Sequence, residues 1–380
     1  MIGEFEKGGI SMPNARKDIV KDGEEGVYHC WSRCVRRSFL CGKDSYSGND
    51  YEHRREWLRA RLEWLADSFC IEVVTFSVMQ NHHHVILRTR PDLAKALSDE
   101  EVVRRRLRAL PQRRDEDWNP VGPDEKEVAA VLLDEEKVEL YRKQSASLSK
   151  FMAYLNENIA RRSNAEDNVT GRFFEGRFKC SALLDEAAIL ACMAYVDLNE
   201  VRAKLADTPE GSVFSGAYDR IVARQGAEKI KALEDARLSE SSQGLAPEKL
   251  TEQQQRAIDE AKRAQRKDRW LCPLDNRNAS ARQGGKRGLF PLSVDEYLEL
   301  LDWTGRQIKA GKRGAIPAHL APILKRLSVE VDAWLRMVES FGSLFWRVVG
   351  RVDVMLSAAR AAGRRWFKGL AASRSVLGEG

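Results

Sequence analysis

The spacing of apolar positions changes several times along the chain, and each change marks an element. Residues 26–36 and 71–87 are dense in β-branched and aromatic side chains, and the second stretch reads as two short strands joined tightly. Between them, residues 51–68 place Trp57, Leu58, Leu62 and Leu65 on one face of a helix. A second helix is expected over 148–162 and a strand-like segment over 172–184. A third helix opens at Asp185, whose side chain suits an N-terminal cap. This alternation predicts an α+β fold: a ferredoxin-like antiparallel sheet with helices on one face.

Three further changes divide the chain. Residues 91–145 turn to mixed charge around Arg104, Arg105 and Arg106 and are expected as a helical excursion inserted into the first folded unit, 12–222. Residues 223–288 are mostly Glu, Lys, Arg, Gln and Ala with Gly and Ser breaks, the composition of a charged linker. Aliphatic periodicity returns at Leu289 and, through Tyr297, Leu298, Leu300, Leu301 and Trp303, opens a small all-helical unit over 289–380. Residues 1–11 are expected as a disordered tail.

With 380 residues, 43% of them apolar, the chain has material for a sizeable core. Lys and Arg number 63 against 57 Asp and Glu, a balance that permits a nucleic-acid partner without demanding one. No apolar run approaches the ~18 residues of a membrane span, and the N-terminus lacks the basic start and apolar stretch of a secretory signal, so no membrane partner and a cytoplasmic location are expected. The seven cysteines include no C-x-x-C pair and are expected as reduced, packed thiols.

Candidate chemistry begins at Gln80-Asn81-His82-His83-His84-Val85, where half of the six histidines sit together. On a strand, His82 and His84 share one face and His83 takes the other, so the outer pair has the geometry either to share a metal ion or to pack as a polar edge. In the helix from Asp185, Leu190, Ala194, Leu198, Val201 and Leu205 form an apolar stripe, and Tyr195 and Asn199, four apart, lie on a neighbouring face. Tyr195 is then a boundary residue, or a nucleophile if a metal site faces it. The basic and aromatic run 172–179 suits phosphate contacts and base stacking, or a solvated surface over a packed core. Residues 352–370 set Arg360, Arg364, Arg365 and Lys368 beside Trp366 and Phe367, a helix face for a nucleic-acid duplex or for docking on its own unit.

Taken in order, four segments resemble the HUH single-tyrosine transposases, in their REP-associated branch. Tyr28-His29-Cys30-Trp31-Ser32-Arg33 is similar to the family's Y-H-[apolar]-x-x-R strand, and Asn81-His82-His83-His84 to its N-H-x-H. Gly171-Arg172-Phe173-Phe174-Glu175-Gly176-Arg177-Phe178-Lys179 resembles its G-x-[apolar]-[aromatic]-x-x-R-[aromatic]-K. Tyr195-Val196-Asp197-Leu198-Asn199-Glu200-Val201-Arg202-Ala203 resembles its Y-[apolar]-x-[apolar]-N-P-V-R-A. The resemblance spans residues 12–222.

The resemblance implies a DNA transposase that binds single-stranded or hairpin DNA and cleaves and rejoins it by metal-assisted transesterification. Tyr195 would be the nucleophile, forming a 5′-phosphotyrosine and freeing a 3′-hydroxyl. His82 and His84, with Asn199 as a third ligand, would hold Mg²⁺ or Mn²⁺, and Arg172, Arg177, Lys179 and Arg202 would contact DNA. It implies action at the nucleoid and leaves monomer and homodimer both open. Two positions depart from the pattern. Glu200 replaces the proline after the asparagine, which predicts a straighter helix there, and His83 stands where a bulky apolar residue is usual. Two other functions stay open on the residues alone: a non-catalytic hairpin DNA-binding regulator on the same fold, and a phosphodiesterase that uses water.

Overall fold

A computed structural model describes residues 18–35, 40–44, 48–111, 113, 115–116, 121–242, 251–277, 286–310 and 316–378. The tail expected over 1–11 lies outside the described residues. Strands β1 (Gly26–Arg33), β2 (Ile71–Val78), β3 (His82–Thr89), β4 (Lys179–Leu183) and β5 (Val348–Val349) form one sheet in the order β2-β3-β1-β4-β5. β1 is antiparallel to β3 and β4, and β2 to β3, whereas β5 runs parallel to β4, so the sheet is mixed rather than purely antiparallel. The fold is α+β and mostly helical.

Helix α1 (Arg54–Ser68) connects β1 to β2. Between β3 and β4 come α2 (Pro91–Ala96), α3 (Asp99–Ala109), α4 (Glu125–Leu132), α5 (Glu135–Ser145) and α6 (Leu148–Glu166). The apolar stripe of α1, Leu58, Leu62 and Leu65, packs with Phe151, Leu155 and Ile159 of α6 against Tyr28, Cys30, Val73 and Phe76 of the sheet. Helices α3 to α5 close a small core of their own around Val103, Val128 and Val138. Ser98, Asp124 and Asp134 cap those three helices, each accepting from a backbone N–H of the first turn.

The other face of the sheet is covered too, which corrects the expectation of helices on one face. Helix α7 (Glu186–Asp197) is followed by the short turn α8 (Asn199–Arg202), the long α9 (Gly216–Ser242) and α10 (Glu252–Gln265). Then come α11 (Val294–Ala310), α12 (Ala321–Arg326), α13 (Val331–Leu344), α14 (Val352–Ala361) and α15 (Leu370–Leu377). Val27, Val74 and Ile86 of the sheet share a core with Leu190 and Ala194 of α7, Leu300 of α11 and Trp334 and Val338 of α13. The physical reason lies in the strands. All eight residues of β2 are buried, so neither of its faces can be left to water.

The segment 289–380 therefore shares its core with α7 and also supplies β5. Within 223–288, α9 and α10 lie so close that a Cβ on Gly226 would come within 2.4 Å of the Gln265 nitrogen. Just beyond them, Leu271 bridges to Val73 and the Cys272 N–H donates to the Val73 carbonyl at 2.7 Å. All seven cysteines are free thiols and buried. Among the described residues, no helix is long and apolar enough to cross a membrane.

One irregularity in β2 matters for the site. Its register against β3 shifts between Val73 and Thr75, so Val74 is an extra residue and both Val74 and Thr75 face α7. A Cβ on Gly216 would sit 2.1 Å from Thr75 Oγ1, so glycine is required where α9 starts against this bulge.

Candidate active site

Strand register brings the polar residues together. Trp31 lies opposite His84 and Arg33 opposite His82, while Trp31 also faces Lys179 and His29 faces Ser181. Because side chains alternate, all of these point to the face that α7 and α13 cover. They line a cavity of about 400 Å³ whose other walls are Tyr195, Arg202 and the stretch of α13 and following chain from Glu339 to Trp346.

Helix α7 holds Tyr195 in place from both ends. The Asp185 carboxylate accepts from the Ala188 N–H at 2.9 Å, capping its first turn, and also from the Arg351 N–H beside β5. At the other end Asp197 is fully buried, accepting hydrogen bonds from Thr75 of the bulge, the Ala217 N–H and the Tyr297 hydroxyl. The helix stops there, because Leu198 leaves helical geometry (φ −90°, ψ 10°) before α8 begins. The straighter helix expected from Glu200 is thus not formed. Glu200 sits in the first turn of α8, a position a proline also tolerates, and its buried carboxylate pairs with Arg55 of α1.

Around the phenol the packing is close. The Tyr195 ring lies 5.8 Å from that of His84, 6.1 Å from His29 and 5.5 Å from Phe341, centroid to centroid. The Arg202 guanidinium carbon is 4.0 Å over the Tyr195 ring, within cation–π range. Its Nη2 donates to the Tyr195 carbonyl at 3.1 Å and to Asn199 Oδ1 at 2.8 Å. On the α13 side, a Cβ on Gly342 would stand 2.8 Å from the Tyr195 hydroxyl, so a side chain there would displace the phenol. Non-helical angles at Ser340 kink α13 beside this contact.

Burial sets the electrostatics. It lowers His29 to about 3 and His82 to about 4, and takes His84 well below its ordinary value, with neighbouring positive charge adding to the effect on His82 and His84. The three imidazoles are neutral at pH 7 and can act as lone-pair donors. Burial also lowers the Arg202 pKa, an effect the adjacent Tyr195 phenol opposes.

The histidines fit a metal ion in part. His82 Nδ1 bonds Asn81 Oδ1 at 2.6 Å and His84 Nδ1 bonds His29 Nε2 at 2.8 Å, so each ring has its Nδ1 engaged and its Nε2 as the candidate ligand atom. Asn199 does not line the cavity, and its oxygen is engaged by Arg202 while its buried Nδ2 has no partner. Among the described residues, no group of three or more His, Cys, Asp or Glu is arranged to hold a metal. The two imidazoles by themselves are an open donor set, leaving most positions of an ion to phosphate or water.

Of the residues singled out in the sequence, the fold brings His82, His84, Tyr195, Arg202 and Lys179 to one cavity. Arg172 and Arg177 are exposed outside it, while Phe173 and Phe174 between them and Phe178 after them are core. His83 points to the opposite face, fully buried and edge-on to Phe174, a packed histidine whose two nitrogens have no hydrogen-bond partner. Sequence reasoning missed His29, Trp31 and Arg33 as site residues, although their alternate spacing on one strand was a usable signal. It also missed Phe341, Gly342 and Trp346, for which no local pattern exists.

No protein-family model matches the chain, and neither does any curated protein. A solved structure described as "Structure of the REP associates tyrosine transposase bound to a REP hairpin" is similar at 12% identity, covering 54% of this chain and 82% of that one with a TM-score of 0.31. At that level the likeness carries no argument, and the functional reading rests on the residues of the cavity.

Proposed function

We propose that this protein cleaves and rejoins single-stranded or hairpin DNA through a covalent bond to Tyr195. The observation that carries the reading is the convergence in one basic-lined cavity of Tyr195, the His82 and His84 pair and Arg202. The Tyr195 oxygen attacks phosphorus, an O–P bond forms, and the bond to the 3′ oxygen breaks. The phenol loses its proton to water or a neutral imidazole and the leaving 3′ oxygen gains one, so the product is a 5′-phosphotyrosine with a free 3′-hydroxyl. Arg33 and Lys179, exposed at the cavity, are placed for the flanking phosphates.

His82 and His84 would hold Mg²⁺ or Mn²⁺, with Asn199 as a third ligand once Arg202 releases its oxygen to a phosphate, and the ion would draw negative charge from the phosphoryl group. A homodimer is compatible with this reading, each Tyr195 then serving either protomer's histidines.

A second reading, hairpin binding without chemistry, draws on one observation: Asn199 is occupied by Arg202 and the Tyr195 hydroxyl is closed in by Gly342. Incubation with Mn²⁺ and labelled single-stranded hairpins separates the two. A protease-sensitive adduct on a denaturing gel, absent with Tyr195→Phe, supports transesterification; binding without an adduct supports the second.

A further inference from the structure

His29 is 3% exposed and His84 6%, and their Nε2 and Nδ1 atoms lie 2.8 Å apart. Their rings are inclined by only 20° with centroids 5.0 Å apart, so the contact runs close to both ring planes, where an N–H and a lone pair meet. A neutral imidazole carries one proton, and two arrangements are available. If His29 donates, His84 must keep its proton on Nε2 and has no bare nitrogen. If His84 donates from Nδ1, its Nε2 is bare.

Two features of the cavity favour the second. His82 uses Nδ1 to reach Asn81 Oδ1, an acceptor only, so its own Nε2 is bare. With His84 Nδ1 facing His29, only its Nε2 is left for a divalent ion shared with His82, and it can serve only when bare.

We propose that His29 is a positioning residue that accepts the Nδ1 proton of His84 and so keeps a lone pair on His84 Nε2, matching the one on His82. This deepens the transesterification reading and rests on it for its purpose. His29 itself then carries its proton on Nδ1. The paired lone pairs are the atoms that would take a divalent ion.

The test is made on the full-length, metal-free chain with ¹⁵N-labelled histidine, reading which ring nitrogen of His84 is protonated from long-range ¹H–¹⁵N correlations. The expected result is a protonated Nδ1 and a bare Nε2. His29→Gln, which keeps an acceptor oxygen, preserves that pattern, whereas His29→Phe moves the proton to Nε2. Mn²⁺ titration followed by electron paramagnetic resonance should show roughly 10–100-fold weaker binding in His29→Phe, recovered in His29→Gln. A proton on His84 Nε2 in the parent chain overturns the proposal, as does parental Mn²⁺ affinity in His29→Phe. Because the tautomer is read without metal, DNA or a variant, it stands or falls even if no Tyr195 adduct forms and the function is different.

Discussion

The Tyr297 hydroxyl donates a hydrogen bond to the fully buried Asp197 carboxylate, tying α11 to the end of the helix that carries Tyr195. Burial pushes the Asp197 pKa up, against the pull of Arg220, Thr75 and Tyr297. Removing the hydroxyl in Tyr297→Phe leaves the carboxylate short of a donor. The expected loss is about 1.5–3 kcal/mol in a denaturant titration. An unchanged midpoint would mean that Asp197 does not depend on this link.

Gly342 sets the position of the phenol. In Gly342→Ala the added carbon would stand 2.8 Å from the Tyr195 oxygen, so either the ring or α13 must shift. A displacement near 1 Å is expected to slow adduct formation by about 100-fold while the far-ultraviolet spectrum is kept. Rates equal to the parent would show that the phenol leaves this contact before it reacts.

Trp346, 51% exposed, lies at the cavity with the Lys368 ammonium 3.5 Å from its ring centre. Trp346→Ala is expected to weaken single-stranded DNA binding by about 1–3 kcal/mol, the worth of one stacked base. Arg33→Ala and Lys179→Ala should each lower the slope of log affinity against log salt by about 0.7, one phosphate contact on a single strand. Anisotropy titrations across a salt series read both effects. Parental slopes in both basic variants would place the strand elsewhere.

Acid should destabilise the metal-free protein through its buried histidines. His29 and His83 are lowered to about 3 and His82 to about 4, below the ordinary 6.5, so the unfolded chain binds more protons as pH falls through that interval. Above pH 6.5 their burial carries no protonation penalty, and below it each histidine that is protonated in the unfolded chain and neutral in the folded one removes about 1.4 kcal/mol per pH unit until the folded-state value is reached. His83→Leu, which deletes an imidazole with both nitrogens unpartnered, should flatten the acid limb by about one proton and add about 1 kcal/mol near pH 7. An unaltered acid slope in this variant would contradict the assignment.

The local part of this site was readable from sequence, because a single strand's alternation places His82 and His84 on one face; helical spacing linked Tyr195 to Asn199, but the helix breaks at Leu198 and Asn199 does not line the cavity. What sequence could not show depended on contacts between distant segments. His29 matters only through the register that sets Trp31 opposite His84. Arg202 looked like a free phosphate ligand until the turn at Leu198 laid it over Tyr195. The roof of the cavity comes from α13, whose kink at Ser340 has no signature, and β5 is two residues long, too short to register as a strand pattern. The second helical layer was not legible, because the face of β2 that it covers carries Glu72, Thr75 and Ser77 beside Val74, the composition of a solvent-facing strand.

The central claim is covalent chemistry at Tyr195, and the direct measurement is the site of attachment. The protein is incubated with Mn²⁺ and a labelled single-stranded hairpin, denatured and digested, and the DNA-bearing peptide is identified by mass. The account expects a nucleotide on the peptide containing Tyr195 and none in Tyr195→Phe. A DNA-linked peptide without Tyr195, or an undiminished adduct in the phenylalanine variant, would contradict it.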